Sequence, residues 1–252
     1  MAAKGLLIDT TQCIGCGACM DACKEANQLP KDEKPAQKLN SRNYCVVQER
    51  EGRYVRKLCM HCKRPSCASV CPVGAFTKTA EGPVVYDVEK CMGCRYCMVA
   101  CPWGVPTYEW DNPVPRVRKC IMCTDRVKAG KPTACAEACP AGATKFGDRD
   151  ALLAEAKARI AADPKKYQNA VLGETEVGGT SMLFLADIAF AKLGFPATLP
   201  GDELPQRTYD VISKIPGLIL VGGAFLMGMN WLTSRKNEVA RENVIHWKGE
   251  KS

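Results

Sequence analysis

Histidine is nearly absent from this chain, with two residues among 252, so metal sites built on imidazole and catalysis by a histidine base have almost nothing to work with. No nucleophile–base pair, no glycine loop of the kind that cradles phosphate and no open metal site is visible. We therefore expect no catalytic residue here; catalysis belongs to another subunit. Room for a leader is also missing. The chain opens MAAKGLLIDTTQC and reaches its first cysteine at Cys13, too soon for a charged segment, an apolar segment and a cleavage site. The expectation is a protein that stays in the cytoplasm, leaves it bound to a signal-bearing partner, or lost its signal before residue 1.

Cysteine is what the sequence has in abundance. Sixteen of its seventeen cysteines form four groups: Cys13, Cys16, Cys19 and Cys23; Cys59, Cys62, Cys67 and Cys71; Cys91, Cys94, Cys97 and Cys101; and Cys120, Cys123, Cys135 and Cys139. These spacings are those of iron–sulfur ligation. Four thiolates hold one [4Fe–4S] cluster, so the chain is expected to carry four clusters and to conduct electrons. Disulfides are the first rival, but sulfurs this close in sequence cannot form eight independent bridges. Zinc is the second, yet three sulfurs on one tight loop suit a cubane better than a tetrahedral ion. The formal charge of +8 would ordinarily suggest nucleic acid or an anionic surface. Sixteen thiolates add about −16 and four oxidised cores about +8, which brings the loaded protein near neutrality, so no nucleic acid is expected.

Residues 56–111 read as one two-cluster ferredoxin module: a cysteine loop, a short strand in CPVGAFTKT, a turn at Glu81-Gly82, a returning strand in VVYDVEK, then CMGCRYCMVACP. In such modules the fourth cysteine of each loop serves the other cluster, which gives one set of Cys71, Cys91, Cys94 and Cys97 and another of Cys59, Cys62, Cys67 and Cys101. By elimination the outer groups pair, with GLLID before the first loop and ATKFGD after Cys139 as partner strands. Their crossed sets are Cys13, Cys16, Cys19 and Cys139, and Cys23, Cys120, Cys123 and Cys135. The expected fold is α+β: two nested bacterial-type two-cluster ferredoxin modules with one C-terminal transmembrane helix. Residues 1–26 and 112–150 make the split outer module, and 27–55 an inserted connector with a hairpin at Glu51-Gly52. Proline follows Cys71, Cys101 and Cys139 but Lys24 follows Cys23, so the first loop should end differently, in a helix-like DACKEAN.

The seventeenth cysteine, Cys45, lies in an apolar alternation and reads as a buried structural thiol. Lys57, Lys90, Arg95 and Lys119 adjoin cysteine loops and are candidate tuners of potential, with solvated surface charge as the plain alternative for each. His61 has no vacant iron to bind and reads as packing, and Tyr96 and Trp103 as shields against water.

Residues 151–210 read as a helix and a docking segment, the apolar SMLFLADIAF being too short to cross a bilayer. Residues 211–233, VISKIPGLILVGGAFLMGMNWLT, would cover roughly 34 Å as a helix and read as the transmembrane span, with 234–252 as a charged tail. Lys214 can snorkel, Trp231 suits an interface, and Gly217, Gly222, Gly223 and Gly228 permit close helix packing. Arg235, Lys236 and Arg241 after the span, against Arg207 and Lys214 before it, place the tail in the cytoplasm and the cluster domain on the periplasmic face of a bacterial inner membrane.

The phrases CMHC, CMGCRYCMVACPWGVP and KCIMCTDR, the CPAGATKFGDRD and EVGGTSMLFL segments and the terminal helix together resemble the iron–sulfur beta subunits of membrane-bound respiratory formate dehydrogenases and [NiFe] hydrogenases, within the electron-transfer subunits of the molybdopterin oxidoreductases. The resemblance implies a relay of electrons between a catalytic subunit, carrying a molybdenum or tungsten pterin or a nickel–iron centre, and an integral quinone-reactive subunit of cytochrome b or NrfD type, in contact with membrane lipid. It also implies that the outer pair of clusters lies toward the catalytic subunit and the inner pair toward the membrane. The alternatives are a soluble polyferredoxin-type carrier and the beta subunit of a dimethyl sulfoxide or polysulfide reductase.

Overall fold

A computed structural model describes residues 2–31 and 34–249, so Asp32 and Glu33 of the connector lie outside the described residues. The chain forms two compact units, Met1–Pro205 and Gln206–Ser252.

In the first unit, β1 (Lys4–Asp9) is the middle of a three-stranded sheet ordered β8-β1-β9. It pairs antiparallel with β8 (Thr144–Asp148), Lys4 opposite Asp148 and Ile8 opposite Thr144, so the partner strands read from GLLID and ATKFGD do meet. On its other side it pairs in parallel with β9 (Met182–Leu185). This corrects the reading of SMLFL as a docking segment: all four residues of β9 are fully buried. Met182 and Phe184 pack with Leu6 and Ile8 on one face. Leu183 and Leu185 pack with Leu7 and with Leu152, Ala156 and Ile160 of α6 (Arg149–Ala162) on the other. A strand covered on both faces reads as an unbroken apolar run, which periodicity alone cannot assign.

The connector hairpin forms as expected from β2 (Cys45–Arg50) and β3 (Arg53–Leu58). Glu51 and Gly52 both take positive φ, 50° and 69°, the two-residue turn whose twist matches paired strands. The inner hairpin also stands where expected, β4 (Phe76–Lys78) against β5 (Val84–Tyr86). A two-residue ladder, β6 (Thr107–Tyr108) with β7 (Val117–Arg118), was not foreseen.

Short helices carry the later cysteines of each group. α2 (Ser66–Ser69), α3 (Tyr96–Ala100) and α5 (Ala134–Glu137) are four or five residues long and stop before a Cys-Pro step, because proline drives the preceding residue out of helical conformation. α1 (Ala18–Ala26), with no such proline, runs for nine residues, as the DACKEAN segment suggested. α4 (Thr124–Lys128) follows Cys123.

The second unit is helical. α7 (Leu204–Ile212) ends before Lys214, and α8 (Ile215–Gly249) starts with Pro216 in its first turn, where a missing N–H costs nothing. The expected span 211–233 is therefore broken near its start. Its continuous part, 215–233, covers about 28 Å, still close to the ~30 Å of a bilayer core. Among the described residues this is the one helix long and apolar enough to cross a membrane, with a mean hydropathy of 1.8 and no part of that stretch buried by the chain. The charged tail is helical as far as Gly249; residues 250–252 lie outside the described residues.

Candidate metal centres

Each cysteine group is shaped by the same backbone device. The residue before the second cysteine takes positive φ in all four: Gly15 at 71°, His61 at 48°, Gly93 at 74° and Met122 at 57°. Such reversals turn successive N–H groups toward one side and make a concavity that favours negative charge. The amides of Met122 and Ala75 already donate to Cys120 Sγ and Cys71 Sγ, at 3.3 and 3.2 Å. Glycine adopts this conformation freely, whereas His61 and Met122 carry a cost of roughly 1–2 kcal/mol each. Both are 1% exposed, so packing holds them there. At Gly15 the reason for glycine is double, since a Cβ would lie 2.5 Å from the ring of Tyr54.

The loops bring the cysteines together in sets drawn from more than one group. Cys13, Cys16, Cys19 and Cys139 line one cavity, roofed by Tyr54 and Arg56. Cys23, Cys120, Cys123 and Cys135 line a second, with Cys45 in its wall. The thiols closest in charge to Cys97 are Cys91, Cys94 and Cys71; those closest to Cys67 are Cys59, Cys101 and Cys62. None of the seventeen cysteines is disulfide-bonded. Among the described residues no three histidine, cysteine, aspartate or glutamate side chains close on a single point that one ion would occupy; the cysteines surround space instead.

Burial makes this space costly for bare thiolates. It pushes Cys23, Cys62 and Cys67 up to about 12 and Cys97 to about 11, so iron must displace protons to bind. Cys19 is the exception, lowered to about 6 by a hydrogen bond from the Cys45 thiol, with help from Arg56. Cys45 is thus buried as expected, but it touches a candidate ligand rather than serving packing alone.

Among the described residues six buried donors lack a nitrogen or oxygen acceptor, and four of them bear on what the space would hold. Arg56 Nε and His61 Nε2 have no acceptor, and Trp103 Nε1 and the Tyr86 hydroxyl have none but a neighbouring thiol. Trp103 lies against Cys62 and Tyr86 against Cys91. Orphaned donors beside sulfur are rare in finished structures, and thiolate and bridging sulfide are the acceptors that a [4Fe–4S] cluster would supply. The residues present therefore fit that group.

The expected tuners fare unequally. Lys90 is a surface partner of Asp87 at 3.2 Å, Arg95 stacks over Tyr108 and Trp110, and Lys57 lies 3.3 Å over the Phe195 ring. Only Lys119 is buried, its ammonium donating to the carbonyls of Val84 and Cys120 at 2.5 and 3.0 Å. Tyr96 is 61% exposed and shields nothing, whereas Trp103 is half-buried against Phe195. His61 is fully buried and neutral, its Nδ1 accepting the Val84 N–H at 2.8 Å, since burial pushes its pKa far down. Two cations escaped the sequence reading. Arg56 donates to Cys135 Sγ at 3.1 Å, and Lys78 reaches the His61 carbonyl at 3.1 Å. A charge inside the buried part of RYVRKL was the available signal for the first.

Fold and cysteine geometry define an iron–sulfur protein of the two-cluster kind, and comparison with known proteins agrees. Two family models, each described as a 4Fe-4S dicluster domain, match residues 50–149 and 12–75. Hydrogenase-2 operon protein HybA of Escherichia coli O157:H7 is 37% identical, over 90% of this chain and 84% of its own length. The formate dehydrogenase iron-sulfur subunit of Haemophilus influenzae is 32% identical, over 92% of this chain and 80% of its own. The nitrate-inducible formate dehydrogenase iron-sulfur subunit of Escherichia coli K12 is 35% identical over 71% and 66%. The chain belongs to this family: it is an iron–sulfur electron-transfer subunit related to HybA and to the formate dehydrogenase iron–sulfur subunits.

Proposed function

We propose that the sixteen cysteines hold four [4Fe–4S] clusters in the crossed sets Cys13, Cys16, Cys19 and Cys139; Cys23, Cys120, Cys123 and Cys135; Cys71, Cys91, Cys94 and Cys97; and Cys59, Cys62, Cys67 and Cys101, within two nested ferredoxin modules. The cavities lined by four cysteines each, taken from different loops, are the observation that carries this reading. Each cluster, when bound, exchanges one electron; the protein's part is to space the centres, exclude water and bias their potentials.

Adjacency of the sets suggests the path. Cys19 and Cys23 are neighbours on α1, and Cys120 lies near Cys59. Cys67 and Cys71 flank α2. Electrons would then pass from the Cys13 set to the Cys23 set, on to the Cys59 set, and leave by the Cys71 set. The donor is a catalytic subunit of formate dehydrogenase or hydrogenase type, and the acceptor a quinone-reactive membrane subunit. Residues 215–233 anchor the chain in the bilayer, with the tail cytoplasmic and the cluster unit periplasmic.

Anaerobically purified protein should contain about sixteen irons per chain and no stoichiometric zinc, and give paramagnetic signals after dithionite. Colourless, signal-free protein sinks the reading. Deletion of 206–252 should release the protein from membranes, and unaltered membrane association of the truncated chain would refute the anchor.

A further inference from the structure

Arg56 sits on β3 at 2% exposure, and nothing in the electron path as described requires it. Its guanidinium is stretched between two centres. One arm donates to Thr144 Oγ1 at 2.7 Å and the other to Cys135 Sγ at 3.1 Å. Thr144 and Arg56 both line the cavity of Cys13, Cys16, Cys19 and Cys139, while Cys135 lines that of Cys23, Cys120 and Cys123. The charges that act most strongly on the side chain are thiols of both sets and of Cys45, with no carboxylate among them. Its Nε finds no acceptor at all. A guanidinium buried without an anion is costly to retain for packing, and the nearest source of compensating negative charge is metal-bound sulfur on either side.

We propose that Arg56 sets the reduction potentials of the first two centres, as a permanent buried cation that favours their more negative, reduced state. The effect is larger at the Cys135 centre, where Arg56 bonds a ligand sulfur, than at the Cys13 centre, where it lines the wall. This rests on the four-cluster reading above. Arg56 acts through the ligands and is a positioning residue rather than a catalytic one. Lysine keeps the charge but cannot bond Thr144 and Cys135 at once.

The test is a potentiometric titration, followed by electron paramagnetic resonance, of the anaerobically purified full chain as wild type, Arg56→Lys and Arg56→Gln. Iron is counted in each, and signals are assigned by their loss in Cys135→Ser and Cys13→Ser. Arg56→Gln should make reduction of the Cys135 centre about tenfold less favourable, 59 mV for a one-electron couple. The Cys13 centre should shift the same way by less, the centres of Cys59–Cys101 should stay put, and Arg56→Lys should recover most of the change. No shift, or an equal shift of all four, overturns the proposal. If Arg56→Gln fails to load iron, the neutral Arg56→Met decides: a lowering confined to the first two centres supports the proposal, and wild-type potentials overturn it. Wild type without clusters removes the four-cluster reading and the proposal together, whereas loaded protein indifferent to Arg56 removes the proposal alone.

Discussion

The two halves of the cysteine-bearing unit use the same ligands on unequal foundations. Around the Cys13 and Cys23 sets lie the β8-β1-β9 sheet, the six-residue hairpin strands β2 and β3, and apolar clusters on both faces of β1. Around the Cys59 and Cys71 sets lie ladders of three and two residue pairs and one small cluster of Phe76, Val84, Val117 and two cysteines, with Met60, Cys62 and Trp103 reaching the larger core. One half has a three-stranded sheet and apolar clusters beside its cysteines; the other is mostly loops that converge on sulfur. A single binding motif thus spans the range from a site carved into a protein to a protein wrapped around its site.

Metal removal should expose that contrast most strongly. After chelation, hydrogen exchange in residues 76–118 should approach that of an unfolded chain while β1, β8 and β9 stay protected. Uniform loss, or uniform protection, would erase the distinction. Core truncation sharpens it. Phe184→Ala, at a fully buried site, should cost about 3–5 kcal/mol in loaded and metal-free protein alike, whereas Phe76→Ala should cost a comparable amount only when loaded. Denaturant titrations of both forms decide this, and a matching cost for Phe76→Ala without metal counts against us.

Glycine substitutions are next in size. A Cβ at Gly15 meets the body of the Tyr54 ring at 2.5 Å, while one at Gly93 meets only the Tyr108 hydroxyl at 2.9 Å, the far end of a movable side chain. Both glycines have positive φ. Gly15→Ala should therefore cost roughly 2–4 kcal/mol and Gly93→Ala about 1–2. Iron retention on dilution gives the ranking, and the reverse order would show the first loop to be the softer.

The smallest effect concerns the hairpin tip of the sturdier half. Arg53 donates to Asp187 Oδ2 at 2.9 and 2.6 Å and holds the carboxyl below its usual range. A depressed carboxylate stabilises the fold above its unfolded pKa, and that contribution vanishes as pH falls through the folded value. Arg53→Ala should thus lower the melting temperature slightly at pH 7 and not at all once Asp187 is protonated. An equal drop at both pH values would assign the loss to packing.

The sequence disclosed unlike parts of this molecule unequally, for physical reasons. Cysteine spacing and the turn at Glu51-Gly52 are local signals, and a strand such as GLLID beside its loop is nearly so. β9 was missed because its four apolar residues show no alternation when both faces are covered. The break at Ser213-Lys214 was missed although Pro216 marks it, because the apolar residues on either side were read as one span. Arg56 was passed over as one more charge at the edge of the inner module, since only its place on β3 turns it inward. Left-handed His61 and Met122 carry no mark in the sequence, because neighbours impose the conformation that glycine would adopt unaided.

Among the cysteines, Cys16 alone is exposed. An iron corner that solvent touches is also the corner that oxygen and peroxide touch first. If the proposed cluster is held there, decay in air should begin at Cys16, with the loss of one iron while the half-buried Cys13, Cys19 and Cys139 keep the other three. The useful lifetime of a preparation would then be set by its least guarded sulfur, however well the better-buried cysteines are protected.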